Sequence, residues 1–359
     1  MTIPGDGPRN GLLPRWAARS AVAASVAWLA VTVLHVVFSG RFWFWVLPDL
    51  VPPPVFVVVP SALLAAAAAG LCPRPRRWAT TAGAAAAVAL VLGCGQAGLN
   101  PRALTAGGRV PAGALRVVSW NTEYWDQADD PAHFYRYLTA WHADVYLLQE
   151  YLHWVNDGPQ PVDDLAGLRR AFPGYHLAIS GELVTLSRYP IVATPRIATA
   201  WPDGPSWYSR FEARKVLRTD LSVGGRTLSV YNVHIPVQLG ERRLLHPSFY
   251  RDVHTRVRHR TAEYDALRRD VAANHDPKLI AGDFNTTPSM GEVRWFRSHL
   301  SDAVRADHAL YPASWPASGP TLWRLDWAFT SGLHVYRYGF RGSEGMSDHR
   351  AQYLRLSLG

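Results

Sequence analysis

Residues 278–285 read KLIAGDFN, and this stretch is more informative about the fold than any other part of the sequence. Lys278–Ala281 is mainly apolar and short enough for a buried strand, and the loop Gly282–Pro288 follows it at once. An apolar run that ends in Gly-Asp-Phe-Asn has few structural reasons to exist. Because rigid strands often hold functional groups at their ends, the stretch predicts functional side chains at Asp283 and Asn285.

The same pattern, an apolar run that stops at a polar residue, recurs along the second part of the chain. Its polar members are Asn121, Glu150 and His234, while Asp326 lies within the run 324–329 and the pair Asp348-His349 precedes the last strand. Each one alone has an ordinary explanation, such as a turn cap for Asn121 or a core position for His234. The whole set in this order instead predicts one site built from several strand ends.

Between these points, short β-rich runs alternate with helical stretches. The predicted strands are 115–120, 145–149, 182–187, 216–223, 227–234, 278–281, 325–330 and 351–357. Helices are predicted at 132–142 and 251–274, and Gly224-Gly225 predicts a hairpin turn. This mixture favours an α/β fold in which a sandwich of sheets is flanked by helices, rather than one parallel sheet.

These motifs resemble the endonuclease/exonuclease/phosphatase superfamily, which includes DNase I-like nucleases, neutral sphingomyelinases and inositol-polyphosphate phosphatases. The resemblance covers about residues 115–358 and rests on Ser119-Trp120-Asn121, Leu148-Gln149-Glu150, Leu186–Ile191, Asn232-Val233-His234, Gly282–Asn285, Leu325-Asp326 and Ser347-Asp348-His349. It implies a four-layer α/β sandwich that hydrolyses phosphoester bonds with Mg²⁺, or Mn²⁺ as an alternative. Trp327 departs from a more usual tyrosine without changing a catalytic group.

The resemblance also implies a metal site. Glu150 is expected to bind the ion directly, with Asn121 beside it, since Mg²⁺ prefers oxygen ligands and retains waters. Asp348 is expected to be a further metal contact. One or two ions fit the sequence equally well.

The implied catalytic residues are His349, Asp326, Asp283, Asn285 and His234. His349 is expected to pair with Asp326, and Asp283 to position or deprotonate the attacking water. Asn285 is expected to donate to a phosphate oxygen, while His234 binds the phosphate or helps to protonate the leaving oxygen. Which group is the general base stays open at this point.

The first hundred residues contain three apolar runs, each about as long as a membrane-spanning helix needs. The predicted organisation is a cytoplasmic tail at 1–19, transmembrane helices at 20–38, 51–72 and 80–98, a linker at 99–113 and a catalytic domain at 114–359. A cleaved signal peptide is the alternative for the first run, and an interfacial helix for the third. Arginines precede the first run and separate the second from the third, at Arg9, Arg15, Arg19, Arg74, Arg76 and Arg77. The positive-inside rule therefore places the catalytic domain outside the cytoplasm, in a multi-pass protein of the cell membrane.

Composition excludes several classes of protein. With 48% hydrophobic and 18% charged residues, the chain of 359 residues is neither disordered nor fibrous. Residues 1–100 carry +5 of the net charge of +9, so the remainder is only mildly basic and gives weak support for nucleic-acid binding. The two cysteines, Cys72 and Cys94, both lie in the apolar part, which leaves no zinc or disulfide pattern for the rest.

A membrane anchor favours a substrate that itself lies in the membrane. The whole-chain layout resembles the VanJ-type teicoplanin-resistance membrane proteins, which implies removal of phosphate from undecaprenyl diphosphate, the carrier lipid of the cell wall. An extracellular nuclease, a phospholipid phosphodiesterase and a non-catalytic binding module are the alternatives, with nucleic acid the less favoured partner. An aromatic cluster, defined as Trp201, Trp207, Tyr208 and Phe211, is either core packing or a lip over an amphiphilic substrate.

Overall fold

The computed structural model describes residues 12–69, 76–125, 130–156, 158–240, 244 and 246–359. The chain divides into two compact units. Unit 1 comprises Met1–Leu99 with Pro288–Gly291, and unit 2 comprises Asn100–Thr287 with Glu292–Gly359. Of the features discussed above, Arg9, Cys72, Arg74 and most of the predicted cytoplasmic tail lie outside the described residues.

Unit 1 is helical in its described part. Its helices are α1 (Leu12–Phe38), α2 (Val46–Asp49), α3 (Val55–Ala68) and α4 (Arg76–Cys94), with a short 3-10 turn at Trp43–Trp45. Helix α4 packs against α1 and α3 with small side chains, since Ala82, Ala86 and Ala89 are fully buried. At Gly93 a Cβ atom would lie 2.0 Å from the carbonyl oxygen of Phe56, so the close approach of α3 and α4 requires glycine there.

Among the described residues, two helices are long and apolar enough to cross a membrane: Arg19–Phe38 with 20 residues and Arg77–Cys94 with 18. They correspond to the first and third predicted runs. The second predicted run contains only the 14-residue helix α3, which is shorter than the about 20 residues that a straight crossing needs. Helix α3 begins after Pro52–Pro54 because a proline disfavours helical geometry in the residue before it. Residues 70–72, the last three of this predicted run, lie outside the described residues.

Unit 2 contains two six-stranded sheets and a two-stranded ribbon in its described part. The first sheet has the spatial order β13 (Leu333–Arg341), β14 (Ala351–Leu358), β1 (Leu115–Asn121), β2 (Val145–Gln149), β6 (Leu183–Ser187) and β5 (His176–Ser180). The second sheet has the order β11 (Ser301–Asp302), β12 (Asp326–Ser331), β10 (Lys278–Asp283), β9 (Arg226–His234), β8 (Val216–Val223) and β7 (Ile191–Ala193). The ribbon consists of β3 (Leu152–Val155) and β4 (Gly158–Pro161).

The helices of unit 2 connect these strands. They are α5 (Pro131–Ala140), α6 (Leu165–Ala171), α7 (Trp207–Ala213), α8 (Pro247–Ala273) and α9 (Arg294–His299). Asp130 caps α5 by accepting hydrogen bonds from the backbone N–H groups of Ala132 and His133, and Pro131 occupies the first turn. Proline also begins α8, at Pro247, which is why this helix starts four residues earlier than predicted.

Side-chain alternation along the strands divides the core into layers. On β10, Leu279 and Ala281 pack between the sheets, with Leu147 of β2. Ile280 points the other way and packs against Tyr264 of α8. The outer face of the first sheet packs in the same manner against α5 and α6. The order helix, sheet, sheet, helix confirms the predicted four-layer α/β sandwich.

Strand direction places the polar strand ends together. β1 and β2 are parallel, and so are β9 and β10, while the remaining neighbours are antiparallel. Parallel neighbours finish at the same edge of a sheet, so His234 at the end of β9 lies beside Asp283 at the end of β10. The sequence prediction omits the edge strand β13 because LHVYRYGFR mixes charged and aromatic residues without a long apolar run.

Candidate active site

Three adjacent strands of the second sheet bring three predicted site residues into one row. His234 ends β9, Asp283 ends β10 and Asp326 begins the antiparallel β12, and Asp283 is the register partner of the other two. The preceding Gly282 permits this row, since a Cβ atom there would lie 1.9 Å from the carbonyl oxygen of Val233. Its φ of +148° is also accessible mainly to glycine.

Asn121 and Glu150 reach the row from the first sheet. The Asn121 Nδ2 atom donates to Glu150 Oε1 at 2.9 Å and to Asp283 Oδ2 at 3.1 Å, so one amide links the two sheets. Glu150 has a left-handed backbone with a φ of +63°, and its Oε2 atom accepts from the Tyr124 N–H at 3.0 Å. Burial raises the pKa of Glu150 above its usual range.

His349 forms the predicted pair with Asp326. Its Nδ1 atom lies 2.8 Å from Asp326 Oδ2, and its Nε2 atom lies 3.6 Å from Asp283 Oδ2. Burial acts to lower the pKa of His349, but Asp326 and Asp283 outweigh burial and raise it well above its usual value. The raised pKa favours the protonated ring, and its Nε2 atom faces Asp283.

A second histidine–carboxylate pair lies on the other side of Asp283. His234 Nδ1 is 3.1 Å from Glu182 Oε1, and His234 Nε2 is 3.7 Å from Asp283 Oδ2. Burial alone would lower the pKa of His234, but Glu182 and Asp283 raise it to about 9. Lys215 Nζ bonds the same oxygen of Glu182 at 2.5 Å. Burial alone would raise the pKa of Glu182, but His234 and Lys215 lower it to about 2.

Sequence reasoning did not identify Glu182 or Lys215 as part of this site. Glu182 immediately precedes β6, whereas most of the predicted site residues follow the end of an apolar run. The rarity of lysine could have drawn attention to Lys215, because only Lys215 and Lys278 are lysines among the 37 Lys and Arg residues of the sequence.

Asn285 is held in the loop after β10. Its backbone N–H donates to Asp283 Oδ1 at 2.7 Å, and its Nδ2 atom donates to the carbonyl oxygen of Ile235 at 2.9 Å and to Asp283 Oδ2 at 3.2 Å. The left-handed φ of +45° at Asn285 suits this tight loop. Asn285 thereby fixes the carboxylate of Asp283, and its donation to a phosphate stays a prediction.

Asp348 lies beside His349 and is held in place by residues other than the predicted metal ligands. Its Oδ2 atom accepts from Trp315 Nε1 at 2.7 Å, and its Oδ1 atom lies 3.9 Å from His349 Nε2. Its backbone N–H donates to Glu123 Oε2 at 2.6 Å. Within the described residues, the side chain of Asp348 is hydrogen-bonded to Trp315 and not to Glu150, so its predicted metal contact stays a prediction.

The donor set fits a divalent cation. Glu150 and Asn121 supply oxygen-bearing side chains of the kind that Mg²⁺ prefers, and the buried carboxylate of Glu150 gains from a nearby positive charge. Asp283, Asp326 and His349 form another candidate group, with potential ligand atoms within 4.8 Å of one another. Both groups have internal hydrogen bonds, Asp326 with His349 in one and Asn121 with Glu150 in the other, so the predicted Glu150 and Asn121 ligands stay a prediction. A bound divalent cation would neutralise phosphate charge there.

The chain belongs to the Endonuclease/Exonuclease/phosphatase family, which matches residues 118–349. This range contains every site residue described above. Members of this family are hydrolases that act on phosphoester bonds and typically use a divalent metal. A comparison with curated proteins finds no match.

Solved structures similar to this chain include an AP endonuclease from Archaeoglobus fulgidus, with 13% identity over 67% of this chain and 98% of that chain, at a TM-score of 0.49. A family protein from Leptotrichia buccalis has 16% identity over 68% of this chain and 100% of its own, at a TM-score of 0.48. A mannosyl-6-phosphatase from Bacteroides thetaiotaomicron has 17% identity over 68% of this chain and 100% of its own, at a TM-score of 0.46. At these levels we draw no functional argument from them.

Proposed function

We propose that this protein is a membrane-anchored, extracytoplasmic, Mg²⁺-dependent phosphohydrolase that acts on a lipid phosphate such as undecaprenyl diphosphate. Water would attack phosphorus and one P–O bond would break, giving undecaprenyl phosphate and inorganic phosphate. The observation that carries the proposal is the convergence of His234 Nε2 and His349 Nε2 on Asp283 Oδ2, at 3.7 and 3.6 Å.

The two histidines supply positive N–H donors where a phosphate would bind. Both have a raised pKa, so each Nε2–H can donate to a phosphate oxygen. Meanwhile His349 Nδ1 stays bonded to Asp326, and His234 Nδ1 faces Glu182 at 3.1 Å. Asp283 lies between them, and burial is the main cause that raises its pKa. A raised pKa makes Asp283 a stronger base toward the attacking water than an exposed aspartate.

The lipid substrate is supported by the apolar helices of unit 1. Two of them satisfy the length and composition of a membrane span, and an enzyme tethered in this way meets membrane substrates continuously. The proposed extracytoplasmic position of the domain requires a third crossing, and the shorter helix α3 is the candidate for it. The order of these helices and a family domain is also the layout that resembles the VanJ-type proteins. A role in cell-wall metabolism and in resistance to glycopeptide antibiotics is part of this proposal.

The test is a side-by-side assay of the purified full chain with Mg²⁺ on undecaprenyl diphosphate, a phospholipid and DNA. We expect inorganic phosphate from undecaprenyl diphosphate, with little turnover of the other two. The His349→Ala variant controls for contaminating phosphatases and should lose the activity. Preferential cleavage of DNA would instead favour the extracellular nuclease, and preferential cleavage of the phospholipid would favour a phosphodiesterase.

A further inference from the structure

A cleft of about 490 Å³ opens beside the active site in unit 2. Its lining includes Glu150, Glu182 and His234 of the site. It also includes two groups of aromatic residues, the first and second aromatic walls. The proposed reaction uses the acids and the histidine and gives the aromatic residues no role.

The first wall is a stacked pair of rings. Tyr124 and Trp154 have centroids 5.7 Å apart and an interplanar angle of 30°. The backbone N–H of Tyr124 bonds Glu150, so this wall is attached directly to the predicted metal ligand. Trp154 lies on β3 of the ribbon and remains 43% exposed, which leaves much of its side chain available to a ligand.

The second wall contains most of the aromatic cluster. Trp201 stacks on His259 at 4.1 Å and 10°, and Tyr208 and Phe211 of α7 continue the surface. Lys215 Nζ lies 3.6 Å from the centre of the Phe211 ring, so this wall is connected to the Glu182–His234 pair. Tyr208 is 55% exposed. The cluster is therefore a cleft wall more than core packing.

The polar groups farther along the cleft are already engaged by protein partners. Arg256 and Asp252 form an ion pair at 2.9 Å, and Lys215 is bonded to Glu182. Several carboxylates on the lining would also repel a nucleic-acid backbone, which needs a track of available cations. A ligand that fits carries a compact phosphate or diphosphate group beside the acids and His234, and an apolar body against the aromatic walls.

We propose that this cleft binds the apolar chain esterified to the reacting diphosphate group, a polyprenyl chain packed against Trp154 and Tyr208. This inference rests on the proposed function and specifies how the same site selects its substrate. Aliphatic residues extend the apolar surface toward solvent, and Val237 at the cleft is 44% exposed. Such a surface gains affinity by removing apolar area from water.

The experiment compares two diphosphates that differ in chain length, undecaprenyl diphosphate and isopentenyl diphosphate, with the purified full chain in detergent and Mg²⁺. The measured quantity is the ratio of their kcat/KM values. In Trp154→Ala and Tyr208→Ala we expect the long-chain preference to fall by about tenfold or more, in the range that lost apolar contact produces. Trp154→Phe should restore part of the preference, because an aromatic face is retained.

Tyr250→Ala is the matched control, because Tyr250 is also an exposed aromatic residue at 44% and does not line the cleft. Its preference should equal that of the wild type. An unchanged ratio in both cleft variants would overturn the cleft assignment while leaving the proposed function standing. An equal loss in Tyr250→Ala would also overturn it, in favour of general adsorption to micelles. Failure of the wild type on both diphosphates, with turnover of a soluble sugar phosphate, would reject the proposed function itself.

Discussion

Glu182→Gln removes one negative charge from the buried Lys215–Glu182–His234 group and keeps the shape of the side chain. The pKa of Glu182 falls from an ordinary 4.5 to about 2 in the folded protein. Since a tenfold change in acidity corresponds to about 1.4 kcal/mol, its partners stabilise the ionised form by about 3 kcal/mol. The variant also leaves Lys215 buried without a carboxylate partner, a change that costs about 3–5 kcal/mol in other buried pairs.

The sign of the pH dependence follows from the depressed pKa of Glu182. A carboxyl whose folded pKa lies below its unfolded value contributes stability that is fully present above about pH 4.5 and is lost as the pH falls toward 2. The wild type should therefore be more stable than Glu182→Gln at pH 7, and the difference should shrink between pH 4.5 and 2.

The assay is thermal unfolding of the purified full chain in detergent, followed by circular dichroism at several pH values. A loss of about 3 kcal/mol predicts a Tm lower by roughly 6–12 °C at pH 7 for a domain of this size. Glu344→Gln is the control, because Glu344 pairs with His133 at the surface and should change Tm little. An unchanged Tm in Glu182→Gln at pH 7, or a deficit that persists unchanged to pH 2, would refute the reasoning.

Three further predictions follow from the site and the anchor. Glu150→Ala should lose activity and EDTA should abolish wild-type activity, measured as phosphate release; full turnover in EDTA would contradict the metal assignment. His349→Ala and Asp326→Ala should each lower kcat by about 10²-fold or more, with the double variant little worse than His349→Ala alone because paired residues are non-additive. Multiplicative losses would give Asp326 a separate role. A reporter active only in the cytoplasm, fused after Gly359, should be silent; full signal would reverse the orientation.

Much of the fold could be predicted from local pattern. Strands such as Val145–Gln149 and Val216–Val223 are contiguous apolar or alternating runs, and the structure has them with the predicted bounds. The edge strand β13 could not be predicted, because its stability comes from pairing with β14 rather than from an apolar run. The length of α3 could not be predicted from hydropathy either. The apolar run begins at Val51, but the helix begins only at Val55, after Pro52–Pro54.

The site shows a similar division. Asn121, His234, Asp283, Asp326 and His349 end or flank strands, and strand direction brings them together as expected for one site. The second histidine–carboxylate pair escaped prediction because it depends on contacts between the two sheets. Glu182 belongs to the first sheet, whereas His234 and Lys215 belong to a hairpin of the second, and a single sequence does not show which ion pairs form across a sandwich. Glu182 and Lys215 could be assigned to the site only from the distances between the side chains of Lys215, Glu182 and His234.

The central claim is that Asp283, flanked by His234 and His349, acts on the water that hydrolyses the phosphoanhydride bond of a lipid diphosphate. The most direct measurement is Mg²⁺-dependent release of inorganic phosphate from undecaprenyl diphosphate by the purified full chain, compared with Asp283→Asn. The substitution keeps the side-chain size and removes the negative charge and the basic oxygen. Our account predicts release by the wild type and a loss of about 10²-fold or more in Asp283→Asn, with an unchanged circular dichroism spectrum. Equal rates for the two proteins, or no release by the wild type, would contradict it.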